Sequence, residues 1–173
     1  VAKIPIYTKA DGKQYIMMKV NKKALLELLP GCDGCKAACC EGPDAYQRDG
    51  FTRRCSYYGQ YGSLHCGLGI GMMPGKCSLF PLVIDGRGTL TVKLKNARLC
   101  LKDGKAAKGP AWLIHLEGIC EAFGDDTGKQ IERSMKQMGF ESFAVLVPFD
   151  SFKAVAGACG SDDGMVFDER GKL

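Results

Sequence analysis

The sequence predicts a small single domain of the α+β class, and three observations predict it. Two Asp-Gly turns each separate a pair of strand-like runs, amphipathic helical stretches fill the second half, and no repeat or linker composition divides residues 1–173. At 173 residues, with 46% hydrophobic and 25% charged residues, the chain can bury one core and has the composition of an ordinary globular domain.

Taken in order, residues 3–7 and 14–20 read as two strands around Ala10-Asp11-Gly12-Lys13, in which Asp-Gly is a hairpin signal. Asn21 is an N-cap candidate for a short helix over residues 22–29, apolar at Leu25, Leu26, Leu28 and Leu29 and stopped by Pro30-Gly31. Residues 41–75 are rich in glycine and tyrosine and show little apolar periodicity. Residues 79–84 and 89–94 predict a second hairpin around Asp85-Gly86-Arg87-Gly88. Pro110, at a first-turn position, opens a helix to Phe123, with Trp112, Leu113, Leu116, Ile119, Cys120 and Phe123 on one face. Thr127 caps a further helix to about Met138. A strand over 142–147 and a helix over 150–156 follow, and the tail after Gly157 is polar.

The chemistry lies in the ten cysteines. Four of them stand within nine residues, in the C-x2-C-x3-CC run Cys32, Cys35, Cys39 and Cys40, and Cys55, Cys66, Cys77, Cys100, Cys120 and Cys159 follow. An even count permits a secreted disulfide framework. Against that, vicinal cysteines rarely bridge each other, C-x2-C spacing suits a shared ligand centre, and the first nine residues hold no apolar leader segment. Thiolate clusters select zinc, copper(I) or iron–sulfur centres over magnesium or calcium.

The expected ligands are Cys32, Cys35, Cys39, Cys40, Cys55, Cys66, Cys77 and Cys100. They would tie down the long cysteine- and glycine-rich loop, with glycines letting the backbone turn sharply beside sulfur. In extended geometry neighbouring side chains point to opposite sides, so Cys39 and Cys40 face one ion only if the loop kinks there; otherwise one of them binds a second centre. The total is compatible with two four-ligand centres. Spacing does not decide between zinc (Zn2+) and a four-iron four-sulfur (4Fe-4S) cluster.

Together with the C-x2-C-x3-CC run, the later cysteines and the element Pro74-Gly75-Lys76-Cys77-Ser78-Leu79-Phe80-Pro81 resemble the zinc- or iron-chelating domain family known as YkgJ-like or CxxCxxCC. The likeness extends over about residues 32–123, and Cys32, Cys35, Cys39, Cys40, Cys66, Cys77 and Cys100 match the family's cysteine positions. Two departures stand out: Met73 replaces the usual basic residue before the proline, and the first loop is longer and richer in glycine. The resemblance implies a metal or iron–sulfur centre and leans towards iron–sulfur. A similar domain occurs in flagellin lysine-N-methylases, but this chain lacks a glycine-rich dinucleotide-type loop for a methyl donor, so methyl transfer is not carried over.

The remaining candidates have plainer readings. Cys120 is expected as a small buried hydrophobe, Cys159 as a surface thiol, His65 as a hydrogen-bonding neighbour of Cys66, and His115 as a structural residue. Gly67-Leu68-Gly69-Ile70-Gly71 lacks the flanking elements of a phosphate loop, and no H-E-x-x-H or triad order supports hydrolysis. The net charge of +5, with Lys9, Lys13, Lys19, Lys22 and Lys23 near the N-terminus, reads as a solvated face rather than a nucleic-acid surface. No run approaches the ~18 apolar residues of a membrane span. The function expected is therefore that of a cytoplasmic metal-binding protein with a structural, electron-transfer or partner-complex role, its partner another protein. The alternatives are a redox or protein-modification accessory enzyme and a zinc-organised nucleic-acid or protein interaction module.

Overall fold

The computed structural model describes residues 3–30, 79–95, 97–98, 108–139 and 141–173. They form a small α+β domain: a mixed six-stranded sheet with helices packed on one face, and a separate two-stranded pair.

The first hairpin forms as its turn dictates. Strand β1 (Lys3–Thr8) pairs antiparallel with β2 (Gln14–Asn21), placing Ile6 opposite Ile16 and Tyr7 opposite Tyr15. Gly12 takes the left-handed φ of 82° that the turn requires, and Asp11 Oδ1 accepts from the Lys13 N–H at 2.9 Å. Asn21 caps helix α1 (Lys22–Leu25), its Oδ1 accepting from Ala24 N at 3.1 Å. The helix is shorter than the predicted 22–29. Leu28–Pro30 instead forms strand β3, antiparallel to the later β6 (Lys108–Pro110), and Ala111 N–H donates to Glu27 O at 2.8 Å. Pro30 disfavours helical geometry at Leu29, and the distant pairing satisfies backbone groups that a further helical turn would otherwise have taken.

The second hairpin is β4 (Leu82–Ile84) with β5 (Thr89–Val92), three residues later in its start than predicted. Asp85 Oδ1 accepts from both Arg87 N and Thr89 N, and Gly88 adopts a φ of 75°. Strand β7 (Ser142–Pro148) runs antiparallel to β2 along its length. The other edge of β2 is shared: β1 pairs with its first residues and β5 runs parallel to Lys19 and Val20. The polar tail expected after Gly157 is in fact strand β8 (Val166–Lys172), parallel to β1 with a register shift after Ile6. Its charged residues, Asp168, Glu169, Arg170 and Lys172, suit an exposed sheet edge.

Alternation along the strands builds the core. Ile16, Met18 and Val20 point to one face, where Ile4, Ile6, Leu82, Ile84, Leu90, Val145 and Val147 join them. Helices cover that face. The predicted helix from Pro110 to Phe123 is met by two short helices, α2 (Ala111–Ile114) and α3 (Leu116–Phe123), with Pro110 as the last residue of β6. His115 separates them at φ −106° and ψ 14°, yet the ladder continues through it: His115 N donates to Ala111 O and Ile119 N to His115 O, both at 3.0 Å. Trp112, Ile119 and Phe123 are buried as predicted, whereas Leu113 is 52% exposed and Cys120 only half-buried.

Helix α4 (Asp125–Lys136) begins two residues before the predicted cap Thr127, and its N-cap is Gly124 with φ 92°. Thr127 lies within the first turn, and its hydroxyl donates to Leu146 O at 2.9 Å. Gln130 completes that contact: its Nε2 donates to Leu146 O at 3.2 Å and its Oε1 accepts from Leu146 N at 2.9 Å. Side chains of α4 thus occupy both backbone hydrogen-bonding groups of Leu146 in β7. Helix α5 (Phe149–Ala158) closes the core with Phe152, Val155 and Ala156, and Phe152 and Phe149 meet Phe167 of β8 edge to face.

Helices α3 and α4 approach closely at Gly128, where an added Cβ would stand 2.3 Å from Cys120 Sγ. Alanine at a helix interior ordinarily gains about 1 kcal/mol over glycine. Here displacement of the thiol from its rotamer outweighs that gain, so Gly128→Ala is expected to lower stability by about 1 kcal/mol. Removing the sulfur should reverse the sign: in a Cys120→Ala background the same change should be neutral or stabilising. Urea midpoints of the two single variants and the double variant test this, and additive effects would contradict the contact.

Candidate metal centre

The predicted ligands Cys32, Cys35, Cys39, Cys40, Cys55, Cys66, Cys77 and Cys100 lie outside the described residues, as does His65. Among the described residues, no group of three or more His, Cys, Asp or Glu side chains is placed to hold a metal ion. What the fold does position is the chain on either side of the cysteine segments.

Leu29, three residues before Cys32, and Ala97, three residues before Cys100, are buried together with Ala111 in a satellite cluster against which Val92 packs. Pro30 stands opposite Lys108 in the β3–β6 pair. On the other flank, Leu79, two residues after Cys77, is fully buried in the main core. Val92 is the register partner of Leu82, and Lys93 N donates to Pro81 O at 3.3 Å, which ties this flank to the same region. Leu29 and Ala97, far apart in sequence, thus share one cluster, and the β4–β5 hairpin links that cluster through Val92 to the flank that begins at Leu79.

The histidine next to this scaffold is His115. Its relative exposure is 5%, and its Nε2 is buried without a hydrogen-bond partner among the described residues. Burial pushes its pKa down to about 4, so the imidazole is neutral at physiological pH. The burial fits the expectation of a structural histidine, and sequence alone carries no signal that Nε2 would lack a partner among the described residues.

The two described cysteines are placed differently from one another. Cys120 is half-buried against Gly128, and its pKa is raised, first by burial and then by the carboxylates of Asp125, Glu121, Glu132 and Glu117. A thiol held protonated in this way is a poor nucleophile and a poor ligand. Cys159, expected as a surface thiol, is half-buried and packs against the main core at the end of α5.

The N-terminal lysines separate in the same way. Lys22 is 6% exposed and its ammonium donates to the carbonyls of Ser134 and Gln137, while Lys9 lies 4.3 Å from the Tyr15 ring centroid. Asp125 and Asp126 occupy the first turn of α4, a favourable place for carboxylates. A shallow cleft beside them is lined by Lys9, Tyr15, Thr127 and Gln130, and the last two are already hydrogen-bonded to Leu146. No helix among the described residues is long and apolar enough to cross a membrane. The chain matches no family model, no curated protein and no solved structure.

Proposed function

We propose that the chain is a metal-binding protein whose thiolates hold one or two centres, iron–sulfur in preference to zinc, and that these centres organise its cysteine- and glycine-rich middle. The observation that carries this reading is the run Cys32, Cys35, Cys39 and Cys40, four soft donors within nine residues. The anchoring of Leu29, Ala97 and Leu79 supports it, since the described scaffold holds the approaches to Cys32, Cys100 and Cys77. Iron–sulfur is preferred because irregular spacing with vicinal cysteines suits a simple two-knuckle zinc ribbon poorly, and the YkgJ-like resemblance points the same way. The role is structural, electron-transferring or in a complex with another protein, in the reducing cytoplasm where such thiolates persist.

Purification without oxygen, followed by elemental analysis and ultraviolet–visible spectroscopy, tests the proposal. Stoichiometric iron with broad visible absorption is the expected result. Stoichiometric zinc in a colourless protein would keep the metal and change its identity. A colourless preparation with neither metal in stoichiometric amount would defeat the reading.

A further inference from the structure

We propose that the face of the six-stranded sheet turned away from the core binds single-stranded nucleic acid, with Tyr7 and Tyr15 stacking on bases and Lys3, Lys9 and Lys19 meeting phosphates. Residues paired directly across two strands share a face, and neighbours along a strand alternate. Ile6 and Ile16 form a pair turned into the core, so the next pair, Tyr7 and Tyr15, is turned outwards. The register carries that face across the sheet. Pro148 stands beside Tyr15, Leu146 beside Met17, and Ala144 and Thr89 flank Lys19. On the far side of β1, Val166 stands beside Lys3 and Asp168 beside Pro5. Tyr7 and Tyr15 are half-buried, Met17 is 37% exposed, and Lys3 and Lys19 are exposed.

The outer face of a sheet against water ordinarily carries polar side chains. Here two aromatic rings and a methionine occupy it with lysines around them, and a solvated lysine face does not account for the rings. Outward positions on one strand are about 7 Å apart and neighbouring strands about 5 Å, so Tyr7, Tyr15 and Met17 make one continuous platform. Every base has a π face, so stacking on such rings accepts any sequence. Lys9 Nζ lies 4.3 Å from the Tyr15 ring centroid, which puts an ammonium where the phosphate of a stacked nucleotide can take it. The carboxylate within the face, Asp168, is held by Arg170 at 3.1 Å. Asp125 and Asp126 border one corner, in the cleft that Lys9, Tyr15 and Pro148 also line, and so direct a polyanion towards the β1 side. A duplex offers bases already stacked on one another, so a flat platform of this kind selects single strands.

Fluorescence anisotropy of labelled oligo(dT) and oligo(rU) with the full chain, purified without oxygen, tests the proposal. Binding to one or both is expected, and a preference between them names DNA or RNA as the occupant. Three phosphate contacts predict a slope of about −2 for log affinity against log salt, a loss of about twentyfold between about 50 and 200 mM. Tyr7→Ala and Tyr15→Ala should each weaken binding at least about fivefold, and Tyr7→Phe should keep it. The exposed lysines give a second arm that holds even if a tyrosine variant folds poorly. Lys3→Ala and Lys19→Ala should each flatten the slope by about 0.7, and Lys136→Ala, exposed on α4, should leave it unchanged. No binding at about 50 mM salt, binding unaltered in the tyrosine and lysine variants, or equal binding of a duplex or of polyglutamate overturns the proposal. Metal analysis of the same preparation reports on the metal-thiolate reading separately, so either can fail alone.

Discussion

Exchanging Lys22 for methionine should lower stability by about 2 kcal/mol, a large effect for one residue near the N-terminus. Lys22 is 6% exposed, and its Nζ donates to Ser134 O at 3.2 Å and to Gln137 O. Those carbonyls end helix α4, where the aligned peptide dipoles leave partial negative charge and unpaired acceptors. A hydrogen bond to a charged donor contributes about 1.5–3 kcal/mol, and a partly buried cation at a helix C-terminus up to about 2 kcal/mol. These terms overlap. Removing the ammonium also relieves its desolvation, and Ser134 O keeps the Gln137 N–H as a donor, which holds the net loss to the figure above. Methionine preserves the apolar stem, so the substitution isolates the charged head. The exposed pair Lys136–Glu132, also at the end of α4 and 2.9 Å apart, provides the contrast. Lys136→Met should cost no more than about 0.5 kcal/mol. Urea denaturation of both variants measures the difference, and equal small losses would show that Lys22 does not fasten the helix end.

Lys22 also shows which parts of this fold could be read from residues alone. Its neighbour Asn21 was legible as a cap because capping is settled within four residues, and both Asp-Gly hairpins were legible for the same reason. Burial of Lys22 depends on α4, more than a hundred residues later, and local composition made it one more solvated lysine. The three-residue strands β3 and β6 fail on the same ground. Each is too short to show alternation, and each exists because the other is present. Strand β8 carries an edge strand's charge pattern, which in sequence resembles a polar tail. For the candidate centre, the C-x2-C-x3-CC run is a local signal in the sequence, and its cysteines lie outside the described residues. The joining of Leu29 to Ala97 and Ala111 is contact at long range, and the burial of His115 is a property of packing.

That buried imidazole sets the second large expectation, which concerns pH. An unfolded histidine titrates near 6.5, and His115 in the fold titrates near 4 because burial penalises its charged form. Between these values the unfolded chain binds a proton that the folded chain excludes, so stability falls as pH falls. The contribution is fully present above about pH 6.5, declines through the interval, and is exhausted below about pH 4. A displacement of this size corresponds to about 3 kcal/mol, and the residue's 5% exposure leaves little solvent to screen it. Carboxylates contribute their own acid dependence, chiefly below about pH 5, so the diagnostic quantity is a difference between proteins. With chelator present throughout, wild type and His115→Gln should lose stability at different rates between pH 7 and 4, the wild type losing about 3 kcal/mol more. Parallel pH profiles would mean that the His115 ring opens to water before it protonates, and that its burial does not govern the acid limb.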